Sequence, residues 1–141
     1  MAYLIQLPSF TDERGNLTVL DEPGSNLPFA IKRVFYIHGA KRLPRGGHRH
    51  YETEEAVVCI NGHCRITCDN DYTREEFLLN DPGQCLIIKA EDWRTLHNFS
   101  PDAVILVFAS TVYDKADYIF EPYGGNVYAT ETEQHQNGYG H

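Results

Sequence analysis

Pro44-Arg45-Gly46-Gly47-His48-Arg49-His50-Tyr51-Glu52-Thr53-Glu54-Glu55 is the stretch from which the rest of this chain can be read. Two glycines lead into a His-x-His pair, and the apolar run that follows ends at Asn61-Gly62. Side chains alternate along a β-strand, so His48 and His50 point to one face and can reach one ligand, while Arg49 points to the other. An imidazole titrates near pH ~6.5, so at neutral pH such a pair presents one base and one acid at small cost. That suits proton transfer next to a carbonyl. The plainer reading of the same residues is a hydrogen-bonded strand face without chemistry.

Outward from this stretch, short runs rich in β-branched and aromatic residues recur at 3–7, 17–20, 30–38, 56–60, 64–68, 76–79, 84–88 and 103–110. Turn signals separate them: Arg14-Gly15-Asn16, Pro23-Gly24-Ser25, Asn61-Gly62, Asp69-Asn70-Asp71 and Asp81-Pro82-Gly83. Asn61-Gly62 suits a two-residue hairpin, which predicts paired strands over residues 57–66. The best helical candidate, residues 113–120, is brief and aromatic. Many short strands in one small domain imply an all-β barrel or sandwich.

Composition narrows the function. The 141 residues, 42% of them apolar, suffice for one core. Twelve basic against 20 acidic residues give a formal charge of −8, which argues against nucleic acid or an anionic membrane as partner. No stretch approaches the ~18 apolar residues of a membrane span and residues 1–10 lack a signal-peptide layout, so a cytoplasmic protein is expected. Cys59, Cys64, Cys68 and Cys85 form no Cys-x-x-Cys pair and are expected to be reduced and buried. After Pro122 the chain turns to Gly, Asn, Thr, Glu and Gln. The expected division is therefore a domain over 1–122 and a tail or docking arm over 123–141.

The spacing His48-x-His50-x4-Glu55-x6-Gly62 resembles the first motif of the cupin superfamily, which implies a double-stranded β-helix, or jelly-roll barrel. In metal-binding cupins the matching three residues and a histidine from a second motif hold the ion. Here the second motif resembles Gly83 followed by Lys89-Ala90-Glu91-Asp92-Trp93-Arg94, with Arg94 at the fourth ligand position. A guanidinium stays protonated and has no lone pair to give, so it cannot be a ligand. His48, His50 and Glu55 could still make a facial triad for non-haem iron, which keeps a metal-dependent dioxygenase or sugar isomerase as the alternative.

A narrower resemblance follows from Ile31-Lys32-Arg33-Val34-Phe35-Tyr36-Ile37, the His48 stretch, Val58-Cys59-Ile60-Asn61-Gly62-His63-Cys64-Arg65-Ile66, Trp93 with Leu96-His97-Asn98-Phe99, and Tyr113-Asp114-Lys115-Ala116-Asp117-Tyr118-Ile119. Over residues 3 to 120, in unbroken order, the chain resembles the WxcM-like sugar-nucleotide 3,4-ketoisomerases. The resemblance implies an isomerase that interconverts dTDP-4-keto-6-deoxyhexoses and their 3-keto isomers for deoxyamino sugars of surface glycans such as lipopolysaccharide. It further implies no cofactor, no metal, and a strand-exchanged homodimer.

Carried over residue by residue, the resemblance puts the catalytic histidines on His48 and His50 and the active-site tyrosine on Tyr36. One histidine would move a proton between C3 and C4 through an enediol while the other shuttles the hydroxyl proton. Arg33 and Arg45 are the candidates for the diphosphate, because a guanidinium grips phosphate oxygens in pairs. Arg14, Trp93 and Arg94 complete the expected substrate site, and Arg14-Gly15 resembles members that form the galacto configuration at C4. The departures are Arg49 between the histidines, Glu55 for a common glutamine, Arg94 for a histidine, and the sequence from Phe120 onward. They bear on the substrate more than on the reaction. A third expectation, from a different class, is a nucleotide-sugar-binding cupin without turnover.

Overall fold

Two apolar runs without polar alternation, Ala56-Val57-Val58-Cys59 and Cys85-Leu86-Ile87-Ile88, mark strands covered on both faces. In the computed structural model, which describes residues 1–21 and 27–124, these runs lie side by side within one sheet and are buried throughout. In chain order the strands are β1 (Tyr3–Gln6), β2 (Ser9–Asp12), β3 (Gly15–Thr18), β4 (Arg33–His38), β5 (Arg45–His50) and β6 (Glu55–Asn61). There follow β7 (Cys64–Asp69), β8 (Arg74–Leu79), β9 (Gln84–Ile88), β10 (Trp93–His97), β11 (Val104–Ala109) and β12 (Tyr118–Ile119). The order β1-β9-β6-β11-β4 makes one five-stranded sheet and β12-β5-β10-β7-β8 the other, while β2 and β3 form a separate ribbon. All the pairings are antiparallel. Two facing sheets with these crossovers make a jelly roll, one of the barrel or sandwich forms that the strand count allowed and the one that the cupin-motif resemblance implied.

The main core lies between the sheets. Val57, Cys59, Leu86, Ile88, Ile105 and Val107 come from the first, and Cys64, Ile66, Cys68, Leu79 and Leu96 from the second. A second cluster, Leu7, Ala56, Val58, Cys85 and Ile87, covers the outer face of the first sheet beneath Leu20, Leu27 and Phe29. That second layer is why β6 and β9 show no alternation. Each fully buried aliphatic side chain contributes about 1.5–3 kcal/mol. All four cysteines are free and buried, as composition predicted.

Asn61-Gly62 does not close a hairpin. β6 and β7 belong to different sheets, so the expected pairing over residues 57–66 is replaced by a crossover. Of the two turn residues only Gly62 takes a positive φ, +69°, and a Cβ there would come within 2.2 Å of Ser100 Oγ. The glycine thus permits a close approach to the 100–103 loop, where Ser100 and His63 exchange backbone and side-chain bonds. Two of the expected turn signals do make hairpins: Arg14-Gly15-Asn16, between β2 and β3, and Asp69-Asn70-Asp71, between β7 and β8.

The helical candidate at 113–120 reduces to one 3₁₀ turn, Lys115–Asp117, capped by the Asp114 carboxylate, which accepts the Ala116 N–H at 3.0 Å; β12 follows. Strands β2, β5, β10 and β12 were not among the eight expected runs: exposed Ser and Asp break the apolar pattern of β2 and a buried arginine that of β10, β5 is the polar His-x-His stretch, and β12 falls within the helical candidate. Pro23-Gly24-Ser25 and residues 125–141, most of the expected tail, lie outside the described residues. Tyr123 is still docked, its hydroxyl donating to the Glu91 carbonyl at 2.7 Å.

Candidate active site

The site is built where β5 meets β10. Gly46 and Gly47 have φ of +86° and +73°, and the register shifts beside them, so that Arg94 stands opposite His48 and Thr95 opposite Gly46. A Cβ on Gly46 would lie 2.8 Å from the Arg94 carbonyl oxygen. The two glycines therefore form a bulge that re-aims the residues after it. Beyond the bulge His48 and His50 turn inward and are almost wholly buried. Their ring centroids are 4.9 Å apart and nearly perpendicular, at 84°.

Aromatic rings enclose the pair. Tyr118 lies 4.8 Å from His48 and 4.6 Å from His50, and Phe120 lies 6.2 Å from His48. Tyr113 lies 5.8 Å from Tyr118, and the Arg33 guanidinium sits over the Tyr113 ring at 5.7 Å and over Phe35 at 5.5 Å. Arg33 is thus connected to the histidines through two tyrosines.

His50 is held by Asp117. Its Nδ1 is 3.0 Å from Asp117 Oδ2, while Asp117 also accepts the Glu52 N–H at 2.8 Å, the Thr53 N–H at 3.2 Å and the Thr53 hydroxyl. Burial opposes the charge on this carboxylate. The bonds from the Thr53 hydroxyl and the Glu52 N–H, with the positive charge available on His50, outweigh burial and hold the carboxyl below its usual range.

A buried ion pair closes the other side. Arg94 Nη1 donates to Glu55 Oε1 at 2.7 Å, with neither side chain exposed, and Nε and Nη2 donate to the carbonyls of Asp92 and Lys89. Glu55, the carboxylate of the expected triad, is therefore engaged by the residue standing in the fourth ligand position. Among the described residues no three His, Cys, Asp or Glu side chains gather to hold a metal ion.

The other expected residues are placed as follows. Arg45 opens β5 as an exposed residue opposite Leu96. Arg94 is turned into the ion pair rather than toward an open phosphate position, and the adjacent Trp93 is fully buried. Tyr36 lies on the outer side of β4 at 63% exposure, its alternate neighbours Phe35 and Ile37 facing the core. Within one chain it does not join the histidines, and the rings against them belong to Tyr118. Arg14 lies at the tip of the β2–β3 ribbon, paired with Asp12 at 2.6 Å and 86% exposed. Sequence reasoning named the segment around Asp117 and Tyr118 without giving either a role. Asp117 lies 67 positions from His50, and only the pairing of β12 with β5 brings it there.

Known proteins resemble this chain in sequence and in fold. The family model described as FdtA, WxcM-like, C-terminal matches residues 2–125. The TDP-4-oxo-6-deoxy-alpha-D-glucose-3,4-oxoisomerase of Aneurinibacillus thermoaerophilus is 40% identical over 117 residues, 82% of this chain and 84% of that protein. Among solved structures, the WlaRB TDP-quinovose 3,4-ketoisomerase of Campylobacter jejuni superposes with a TM-score of 0.80 at 36% identity, covering 85% of this chain and 92% of that one. A mutant of the 3,4-ketoisomerase QdtA of Thermoanaerobacterium thermosaccharolyticum, in complex with TDP-4-keto-6-deoxyglucose, gives 0.81 at 30% identity and covers 97% of both chains.

Proposed function

The chain belongs to the FdtA family of WxcM-like, C-terminal proteins, and from that premise we propose that His48 and His50 carry its chemistry. The protein is a sugar-nucleotide 3,4-ketoisomerase, an intramolecular oxidoreductase that converts dTDP-4-keto-6-deoxyglucose to a dTDP-3-keto-6-deoxyhexose. One imidazole removes the C3 proton, the electron pair becomes the C3=C4 bond, and O4 takes a proton to give the enediol. O3 then loses its proton, the carbonyl re-forms at C3, and C4 receives the proton. No electron leaves the sugar, so two groups that exchange protons suffice.

The observation that carries this reading is the His48–His50 pair itself, two rings 4.9 Å apart and out of water, one of them anchored to a carboxylate. In such a site a protonated imidazole stabilises charge developing on the enediol oxygens far better than in water. Arg33, linked to the pair through the Tyr113 and Tyr118 rings, and Arg45, at the start of the strand that carries the histidines, are assigned to the diphosphate. The donor role of Tyr36, the substrate roles of Arg14 and Trp93, and a galacto product rest on the family resemblance. The metal-dependent alternative needs Glu55, which Arg94 already holds.

A homodimer fits the exposed ribbon, whose Phe10 and Leu17 face solvent. No helix among the described residues is long and apolar enough to cross a membrane, and a nucleotide-sugar substrate favours the cytoplasm. The test is proton NMR with dTDP-4-keto-6-deoxyglucose in D2O. A 3-keto product with deuterium at C3 or C4, lost in His48→Asn and His50→Asn, supports the reading; substrate binding without exchange would identify a non-catalytic binding protein.

A further inference from the structure

We propose that Asp117 is a positioning residue for the isomerisation: by accepting the Nδ1–H of His50 it fixes that imidazole in one tautomer and leaves Nε2 for the substrate. The inference rests on the ketoisomerase reading and deepens it.

Asp117 sits at the end of the 3₁₀ turn, next to the first residue of β12. Its carboxylate is fixed before it meets the histidine, because the Glu52 N–H, the Thr53 N–H and the Thr53 hydroxyl all donate to it. The Thr53 hydroxyl is in turn 2.7 Å from that of Thr111, which ties the arrangement to the segment after β11. The backbone carbonyl of Asp117 accepts the Tyr51 N–H at 3.1 Å, and the His50 N–H donates to the Ala90 carbonyl at 2.8 Å. The Asp117 carboxylate and the His50 backbone are thus anchored independently, and the 3.0 Å bond between Oδ2 and Nδ1 sets the ring. A carboxylate can only accept, so the proton in that bond belongs to Nδ1. In the neutral imidazole Nε2 must then carry the lone pair.

This settles a matter that the pair alone leaves open. Two adjacent imidazoles relay protons productively only if each presents the required nitrogen, and a ring free to flip would present the wrong one part of the time. The charge matters as well. The groups facing His50 are His48 from its own strand, Asp117 from the 3₁₀ turn and Tyr118 from β12, while Arg49 is turned away to the Glu121 carbonyl and the Tyr123 ring. Asp117 is the anion in that set, so it favours the imidazolium form of His50 whenever the ring takes up a proton during turnover.

Two measurements test this. In the wild-type protein, ¹⁵N-imidazole NMR at a pH where His50 is neutral should show Nδ1 protonated and Nε2 bare. The opposite tautomer would overturn the proposal irrespective of any activity. In Asp117→Asn the amide can turn its NH₂ to Nδ1 and select the wrong tautomer, as happens when the carboxylate of a serine-protease triad is replaced, where the loss is about 10⁴-fold. We expect kcat to fall by about 10²-fold or more while TDP binding holds within about threefold, and the limb of the pH–rate profile that belongs to His50 to move to lower pH. An unchanged kcat and an unmoved limb in a folded variant would overturn the proposal. If the variant does not fold, the tautomer measurement decides. Absence of turnover in the wild-type protein would count against the ketoisomerase reading instead, which keeps the two failures apart.

Discussion

Arg94 donates to Glu55 across 2.7 Å with neither side chain exposed to solvent, and its backbone stands opposite His48 in the neighbouring strand. A fixed cation is thereby built into the wall of the site, and its counter-charge is the carboxylate that a metal would otherwise use. Nε and Nη2 donate to the Asp92 and Lys89 carbonyls as well, so the group is held rigidly.

Removing one partner of such a pair leaves an uncompensated buried charge, which costs about 3–5 kcal/mol, whereas replacing both with apolar residues is often nearly neutral. Arg94→Leu should therefore lower the urea-derived stability by about that amount. Glu55→Leu combined with Arg94→Leu should recover much of the loss. Equal destabilisation by the single and double variants would mean that the guanidinium contributes packing rather than charge compensation.

The same pair predicts the response to chelators. Glu55 is committed to Arg94, so dialysis against EDTA should leave isomerase turnover unchanged, and elemental analysis of the active protein should find no stoichiometric transition metal. Activity lost on chelation and restored by one divalent ion would favour the metal-dependent reading built on His48, His50 and Glu55.

The barrel was legible because runs rich in β-branched and aromatic residues and the turn residues between them are local signals, and each of the eight expected runs overlaps a strand. The error at Asn61-Gly62 shows the limit of such signals. A tight turn with one positive φ serves a sheet-to-sheet crossover as well as a hairpin, and what selects the crossover is the distant contact with Ser100. His48 and His50 were legible because they share a strand and a face. Asp117 was not, because its partner is 67 positions away, and no composition or spacing reports a contact made through β12. Tyr36 illustrates the converse. A resemblance assigns it to the site, yet alternation along β4 turns it outward in the single chain.

The ribbon of β2 and β3 predicts association. All of its residues are exposed, it pairs with neither sheet, and Phe10 and Leu17 stand directly opposite each other on it at 64% and 59% exposure. A two-stranded ribbon is marginally stable alone in water, so an apolar surface from a second copy is the expected cover. Sedimentation should give a dimer, and Phe10→Ser with Leu17→Ser should shift it toward monomer at the same concentration. A wild-type monomer would remove the basis for strand exchange.

Two carboxylates, Asp117 partly buried and Asp92 fully buried, should shape the acid stability in opposite senses. Hydrogen bonds and His50 hold Asp117 below its usual range against the effect of burial, whereas for Asp92 burial dominates and pushes the carboxyl up, with the Lys89 N–H as the main opposing contact. An unfolded aspartate titrates near ~3.9. For Asp117 the folded value is the lower one. The unfolded chain takes up the proton first, so the stabilisation is complete above the unfolded value and is lost as the pH falls through the folded one. For Asp92 the folded value is the higher one, so the ionised form carries a penalty at neutral pH that is relieved as the pH falls through that raised value. Urea midpoints from pH 7 downward should therefore show Asp117→Asn most destabilised relative to wild type at neutral pH, with the gap closing only below about pH 4. Relative to wild type, Asp92→Asn should compare best at neutral pH and lose ground on acidification, starting above that point. Parallel curves for the two variants would mean that neither carboxylate is shifted by its surroundings.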